Sequence, residues 1–280
     1  MQPRLFITLG LLVSVIALAL FLFNTDNREP APPEVLLTNL NPAGINSIHI
    51  YRNQSGEITF SKENKKWQMQ QPFNLPANEF RINTMLKLLS AHSYTQLNAG
   101  NIDPERFLLK TPVVSVEFNN TRIDFGDQSP IGEQRYVLVN SVIHLINDSL
   151  YEQLQAAPEF FLSTRLLPEG AKILAISLPE HSISRNNNVW AVTPDTGISA
   201  DQIVQTVSAW RSAEAISIRK YEGGESAGVI KIDLEGQPPL EFVIVSPPPQ
   251  LILARPDLGL QYHISGYDAG QLFLQPVTNH

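Results

Sequence analysis

Residues 45–60 read Ile45-Asn46-Ser47-Ile48-His49-Ile50-Tyr51-Arg52-Asn53-Gln54-Ser55-Gly56-Glu57-Ile58-Thr59-Phe60. Ile48 and Ile50 alternate with Ser47 and His49, and Ile58 and Phe60 with Glu57 and Thr59, which is the period of a strand that buries one face. Asn53-Gln54-Ser55-Gly56 between them is turn chemistry, so the stretch predicts a β-hairpin. A third strand is expected around Trp67-Gln68-Met69. Pro72 and Pro76 then break the chain, and Asn78 is placed to cap a helix from about Glu79 to His92. Its Phe80, Ile82, Met85, Leu86 and Leu89 recur at the three-and-four spacing of one buried face.

Working outward, Val114, Val116 and Phe118 alternate with polar residues. Asn119-Asn120-Thr121 turns the chain into Ile123-Asp124-Phe125-Gly126, a second hairpin. Strands at Tyr136 to Val139 and Val142 to Ile146 are separated by Asn140-Ser141, and a short helix is expected within Asp148 to Gln155. The order is β-β-β-α-β-β-β-β-α. The second half repeats it: Trp67 precedes Ala77-Asn78 by the same interval as Trp190 precedes Ala200-Asp201. Ile45, Ile48 and Ile50 match Ile173, Ile176 and Leu178, Val114-x-Val116-x-Phe118 matches Ile230-x-Ile232-x-Leu234, and Ile123-x-Phe125 matches Leu240-x-Phe242. Tyr262-His263-Ile264 corresponds to Ile143-His144-Leu145. Chance similarity between amphipathic strands is the competing account, and the shared Trp-to-helix spacing argues against it.

Upstream, Leu5 to Phe23 is an uninterrupted apolar run after Arg4. As a helix it spans roughly 28 Å, close to the roughly 30 Å hydrocarbon core of a bilayer. It exceeds the core of a signal peptide, and Phe21-Leu22-Phe23-Asn24 offers no small-x-small cleavage site, so an uncleaved anchor is expected. Arg4 precedes the run and Asp26 and Glu29 follow it, which orients the N-terminus to the cytoplasm. Pro30, Pro32, Pro33 and Pro42 give residues 24–43 the composition of an extended stalk. The organisation read from sequence is therefore a cytoplasmic end at 1–4, a transmembrane anchor at 5–23 in contact with the lipid bilayer, a stalk at 24–43, and α+β modules at 44–168 and 169–280. Each module carries one main helix packed on an antiparallel sheet.

The chain has a net charge of −7 and no cysteine. The charge disfavours nucleic acid, which demands a concentrated basic surface, and the missing cysteine excludes disulfides and a lipid-modified thiol. No cofactor or metal site is expected: the six histidines form no H-x-H, H-x-x-x-H or H-E-x-x-H pattern. His49, His144 and His263 alternate with apolar neighbours, which predicts the solvent face. Nucleophile-elbow and phosphate-loop signatures are missing, and Asp124 and Asp127 around Gly126 are explained by a turn. No catalytic residue is assigned, and the chain is expected not to be an enzyme. Binding roles fall on Trp67 and Trp190, which as aromatics anchor small cores or partners, and on Pro247-Pro248-Pro249, which either stiffens a hairpin connection or presents a polyproline segment.

The lysine-rich W-x-M-x-x-P, the P-A-N at a helix start, and the I-D-F-G, Q-R-Y-V and I-H-L-I segments resemble an uncharacterised family of envelope-anchored domains. Trp67, Pro72, Pro76 and Ala77 correspond to one hallmark of that family and Phe125-Gly126 with Tyr136-Val137 to another. The similarity runs from about Ile45 to Leu178 and more weakly beyond. Family members usually place Asp at the helix cap; here Asn78 and Asp201 are expected to serve. The resemblance implies a domain of unknown function, found beside ABC-type export permeases and gliding-motility-like components, with no assigned catalytic residues. The expected function is that of a non-catalytic, single-pass accessory or scaffold protein of the bacterial inner membrane, its C-terminal domain periplasmic and its partner a membrane protein of the ABC-permease kind. A ligand-binding module with a site between the two modules is the alternative, and a hydrolase the third.

Overall fold

The computed structural model describes residues 3–24, 35–53, 55–187, 189–195 and 197–274, with the side chains of the N-terminal helix described over residues 10–20. That helix, α1, runs Pro3–Asn24. Among the described residues no helix is long and apolar enough to cross a membrane. Most of the expected stalk, including Pro30, Pro32 and Pro33, lies outside the described residues.

The remaining chain is α+β, built on two antiparallel sheets. The first half supplies β1 (Ser47–Arg52), β2 (Ile58–Glu63), β3 (Lys66–Gln71), β4 (Leu75–Pro76), α2 (Glu79–Leu86), β5 (Thr95–Asn98), β6 (Val114–Phe118), β7 (Thr121–Gln128), β8 (Gln134–Val139), β9 (Val142–Asn147) and α3 (Tyr151–Gln155). The second supplies β10 (Ile173–Ser177), β11 (Ser182–Asn186), β12 (Val189–Thr193), α4 (Ala200–Ser212), β13 (Ser217–Lys220), β14 (Val229–Leu234), β15 (Leu240–Ser246), β16 (Ile252–Arg255), β17 (Leu260–His263) and α5 (Gly266–Gln271).

The strand orders are β4-β3-β2-β1-β6-β7-β8-β9-β5 and β12-β11-β10-β14-β15-β16-β17-β13. With β4 set aside, the two are the same path element for element. In each, the strand following the main helix crosses the whole sheet to pair with the last strand: β5 with β9 and β13 with β17.

Local chemistry places the turns where the sequence puts them. Asn64 and Lys65, at φ 50° and 68°, form a tight connection between β2 and β3, and Asn140 and Ser141, at 48° and 65°, one between β8 and β9. Two consecutive positive φ values match the right-handed twist of paired strands, and asparagine tolerates them better than most residues. Arg52, at the end of β1, folds its guanidinium back onto the first hairpin turn, donating to the carbonyls of Ser55 at 3.0 Å, Gly56 at 3.2 Å and Ala156 at 2.6 Å.

Three expectations shift. The first main helix ends at Leu86 and continues as a 3-10 turn over Lys87–Ser90. The second is capped by Ser199, whose hydroxyl accepts from the Gln202 N–H while the Gln202 side chain accepts from Ser199; Asp201 lies in the first turn and does not cap. Finally, residues 35–41, within the expected stalk, are held in the domain by residues 89–93, at and after the 3-10 turn that ends the first main helix. Leu37 is buried and its N–H donates to the Ala91 carbonyl at 2.8 Å, while Thr38 donates to that of Leu89.

The buried apolar residues of both sheets form one continuous cluster, from Leu37 to Leu274.

Candidate binding cleft between the two sheets

The segment joining the sheets decides the geometry of the space between them. After a 3-10 turn at Pro158–Phe161, the chain runs extended, with Leu162 bridging Ala77 and Arg165 bridging Glu214. On one side the Phe161 carbonyl accepts from Asn78 N–H at 2.7 Å and Ser163 N–H donates to Pro76 at 2.8 Å. On the other, Thr164 accepts from Ala215 at 2.8 Å and Leu166 donates to Ala213 at 3.0 Å. The connector thus occupies the edge of β4 and ties the start of α2 to the end of α4.

Beside it lies a cleft of about 680 Å³, within the range of small-molecule sites. Trp67, Leu75 and Pro76 line it from the first sheet, Leu162, Leu166 and Leu167 from the connector, and Leu240, Arg255, Leu258 and Tyr262 from the second sheet. Trp67 is placed by its backbone. Its N–H donates to a Glu79 carboxylate oxygen at 2.8 Å and its carbonyl accepts from Ala77 at 2.9 Å, so the return of the chain through Pro72 and Pro76 to the helix start is pinned at both ends.

Ion pairs span the rim. Lys66 of β3 pairs with Glu169, and Arg165 with Glu214 at 3.6 Å. The hydrogen bond from Lys66 holds the Glu169 carboxyl below its ordinary range. Arg255 is engaged by Asp257 through two bonds of 2.9 and 2.6 Å. Tyr262 is 6% exposed, burial pushes its phenol above the ordinary value, and its hydroxyl has no hydrogen-bond partner among the described residues. An apolar floor and a neutral balance of lining charges suit an apolar or amphiphilic group better than a free ion.

Of the residues singled out in sequence, Trp67 lies at this cleft. Trp190 sits on the edge strand β12, partly exposed, with the Arg185 guanidinium 5.8 Å from its ring. Pro247, Pro248 and Pro249 form the exposed connection between β15 and β16. The five are not brought together. The fully buried tryptophan is Trp210, whose indole N–H donates to the Leu272 carbonyl at 2.9 Å. Tyr262 and Arg255 escaped sequence reading because strand alternation does not tell which side chain borders a cleft.

Histidine placement corrects one expectation. His49 and His263 are partly exposed, but His144 is 5% exposed, its Nδ1 lying 2.9 Å from the Ser93 hydroxyl. Ser93 contacts the ring, and residues 36–40 line the same hollow as the ring, on the side where alternation placed it in solvent. Burial lowers the His144 pKa. A serine beside a histidine is the beginning of a nucleophile-base pair, yet Ser93 is itself buried and gives its proton to the Thr95 carbonyl at 3.1 Å. Among the described residues no carboxylate bonds the other ring nitrogen, so the contact is a structural tether. Among the described residues no group of three His, Cys, Asp or Glu is arranged to hold a metal ion.

A family model described as "Domain of unknown function (DUF4340)" matches residues 67–225. The chain belongs to this family. The DUF4340 match begins at Trp67, takes in the connector, and ends beyond β13, so it spans parts of both sheets. The residues of the two sequence hallmarks fall inside it, Trp67, Pro72, Pro76 and Ala77 at its start and Phe125-Gly126 with Tyr136-Val137 further on. No curated protein and no solved structure shows significant similarity to the chain.

Proposed function

We propose that this DUF4340 protein is a non-catalytic accessory or scaffold subunit of a bacterial envelope complex. In this reading residues 5–23 anchor it in the inner membrane, the N-terminus is cytoplasmic, and the two-sheet domain is periplasmic. The observation that carries the proposal is the unclothed state of α1. Leu11, Leu12, Val13, Val15, Ile16, Leu18 and Leu20 are each between 51% and 65% exposed, with no other part of the described chain covering them. Apolar surface of that extent is removed from water by lipid or by another apolar helix. In the sequence, the apolar run from Leu5 to Phe23 would span roughly 28 Å as a helix. An ABC-type permease as partner follows from the family resemblance.

The test is crosslinking of the full-length protein in its native membrane, followed by purification in mild detergent and identification of what accompanies it. A reproducible permease or ATPase supports the accessory reading; recovery of the protein alone with several crosslinker chemistries counts against it. Deleting residues 1–24 is expected to move the domain to the soluble fraction, and retention in the membrane pellet would remove the anchor from the proposal. A second reading, a ligand-binding module, is favoured by the cleft itself, with its apolar floor and balanced lining charges. It is tested by whether Tyr262→Phe alters the binding of a hydrophobic fluorescent probe.

A further inference from the structure

A second hollow, remote from the cleft, lies where residues 36–40 cross the first sheet. It holds about 340 Å³, and the His144 ring lines it together with Asn39, Gln96, Thr121 and Asn140. These four polar side chains make no hydrogen bond of their own within the described residues. His144 is the buried member. Because the Ser93 hydroxyl donates to Thr95, the ring's Nδ1–H is the donor to Ser93, and Nε2 is left as an acceptor without a protein partner among the described residues.

We propose that this hollow is a binding site for a neutral, hydroxyl-rich ligand, a saccharide of one to two rings in size. Nε2 of a neutral imidazole accepts from an O–H group, and three carboxamides and a hydroxyl supply both donors and acceptors, which is what vicinal sugar hydroxyls require. Leu36, Leu40 and Val142 in the same wall offer apolar surface to the C–H faces of a ring. No Asp, Glu, Lys or Arg lines the hollow. A phosphate or carboxylate entering it loses its hydration without a counter-charge and faces the Nε2 lone pair, so charged ligands are disfavoured. Burial, which keeps the ring neutral, acts in the same direction.

The experiment uses the full chain in a zwitterionic, sugar-free detergent, with isotope-labelled histidine observed by NMR above the ordinary pKa of imidazole. Glucose, N-acetylglucosamine, maltose and chitobiose are titrated separately, with a sugar phosphate as the charged control. The expected result is a saturable shift of the His144 Nε2 resonance with at least one neutral sugar and none with the phosphate. Gln96→Ala, an exposed position on the edge strand β5, is expected to weaken that binding by about tenfold while leaving the fold intact, the loss of one or two ligand hydrogen bonds. Asn140→Asp, which keeps a side chain tolerant of the positive φ, is expected to weaken it as well. Absence of a saturable shift with all four sugars, an equal response to the sugar phosphate, or unchanged affinity in both variants overturns the proposal.

Discussion

Gly126 shows how much a single position holds. A Cβ there would stand 2.2 Å from the Phe107 carbonyl oxygen and 2.8 Å from the Leu109 side chain. The Gly126 carbonyl accepts from the buried Arg135 guanidinium at 2.6 Å, and the same guanidinium grips Asp148 through bonds of 2.7 and 2.9 Å. The Phe125-Gly126 hallmark thus has a packing cause, and Gly126→Ala is expected to destabilise the fold by about 3 kcal/mol or more. Gly44→Ala, where the added carbon meets nothing within 4 Å, is the control and should lie within about 0.5 kcal/mol of the parent in urea unfolding. His144 gives a pH prediction. Its folded pKa lies below the ordinary 6.5 because of burial, so between those two values the unfolded chain binds more protons than the native one. Stability therefore falls as pH drops below about 6.5 and is restored above it. His263, lowered by burial and by Arg219, contributes in the same direction. His144→Gln should flatten, without abolishing, the fall in urea midpoint between about pH 7 and pH 5; an unchanged slope would mean the ring stays neutral at no cost to folding. Nothing in the local alternation around His144 signals its burial. The apolar pair Leu36-Leu37 inside a proline-rich stretch was the available sign, and it points to a covering segment only once the sheet is known.

At the scale of elements, the hairpins were legible because their information is local: alternating apolar residues on both sides of Asn- and Gly-bearing turns give register as well as position. The edge pieces were not. β5 is almost wholly exposed, so it carries no apolar period, and it is a strand because β9 is there to receive it. β4 is two residues long and contains a proline, which only an edge permits. The equal Trp-to-helix spacing located Trp67 and Trp190 correctly at the ends of equivalent paths but did not fix their burial. In the first half, β4 and the connector close over Trp67, whereas β12 is an open edge. The second helix instead buries Trp210 along with Ile203, Thr206 and Val207, one face at helical spacing. Two predictions follow from this arrangement. Ser199→Ala removes the cap and half of the reciprocal bond with Gln202, and should cost about 1 kcal/mol. Trp210→Phe strands the Leu272 carbonyl and opens space beside Phe242, whose ring lies 6.1 Å away, and should cost about 2–4 kcal/mol. Chemical denaturation of both variants measures the difference; a Trp210→Phe protein as stable as Ser199→Ala would show that α4 is held by the sheet alone and not by its tie to the residues after α5.

For the whole molecule, the question raised by two sheets with one strand order is whether they behave as two bodies. The path from sheet to sheet argues for one. The connector is backbone-bonded to the start of α2 and to the end of α4. Phe161 meets Phe60 edge-on at 5.9 Å, and the Arg81 guanidinium sits 3.3 Å from the Phe160 ring. The rim ion pairs add little, since exposed pairs are worth at most about 1 kcal/mol; the continuous apolar cluster is what couples the halves. A repeat with its own closed core would open independently, while a shared core opens as a unit. Native-state hydrogen exchange is therefore expected to give the amides of Ile50 and Val116, in the middle of the first sheet, the same limiting free energy of opening as those of Ile176 and Ile232 in the second. Lys66→Ala should leave that equality intact, whereas Leu162→Ala, which hollows the connector, should lower both sets together by about 2–5 kcal/mol. If the second sheet instead exchanges through a lower-energy opening while the first stays protected, the connector is a hinge. The cleft it borders would then change width with that opening, and a ligand or partner seated against Trp67 and Tyr262 would act on the angle between the sheets.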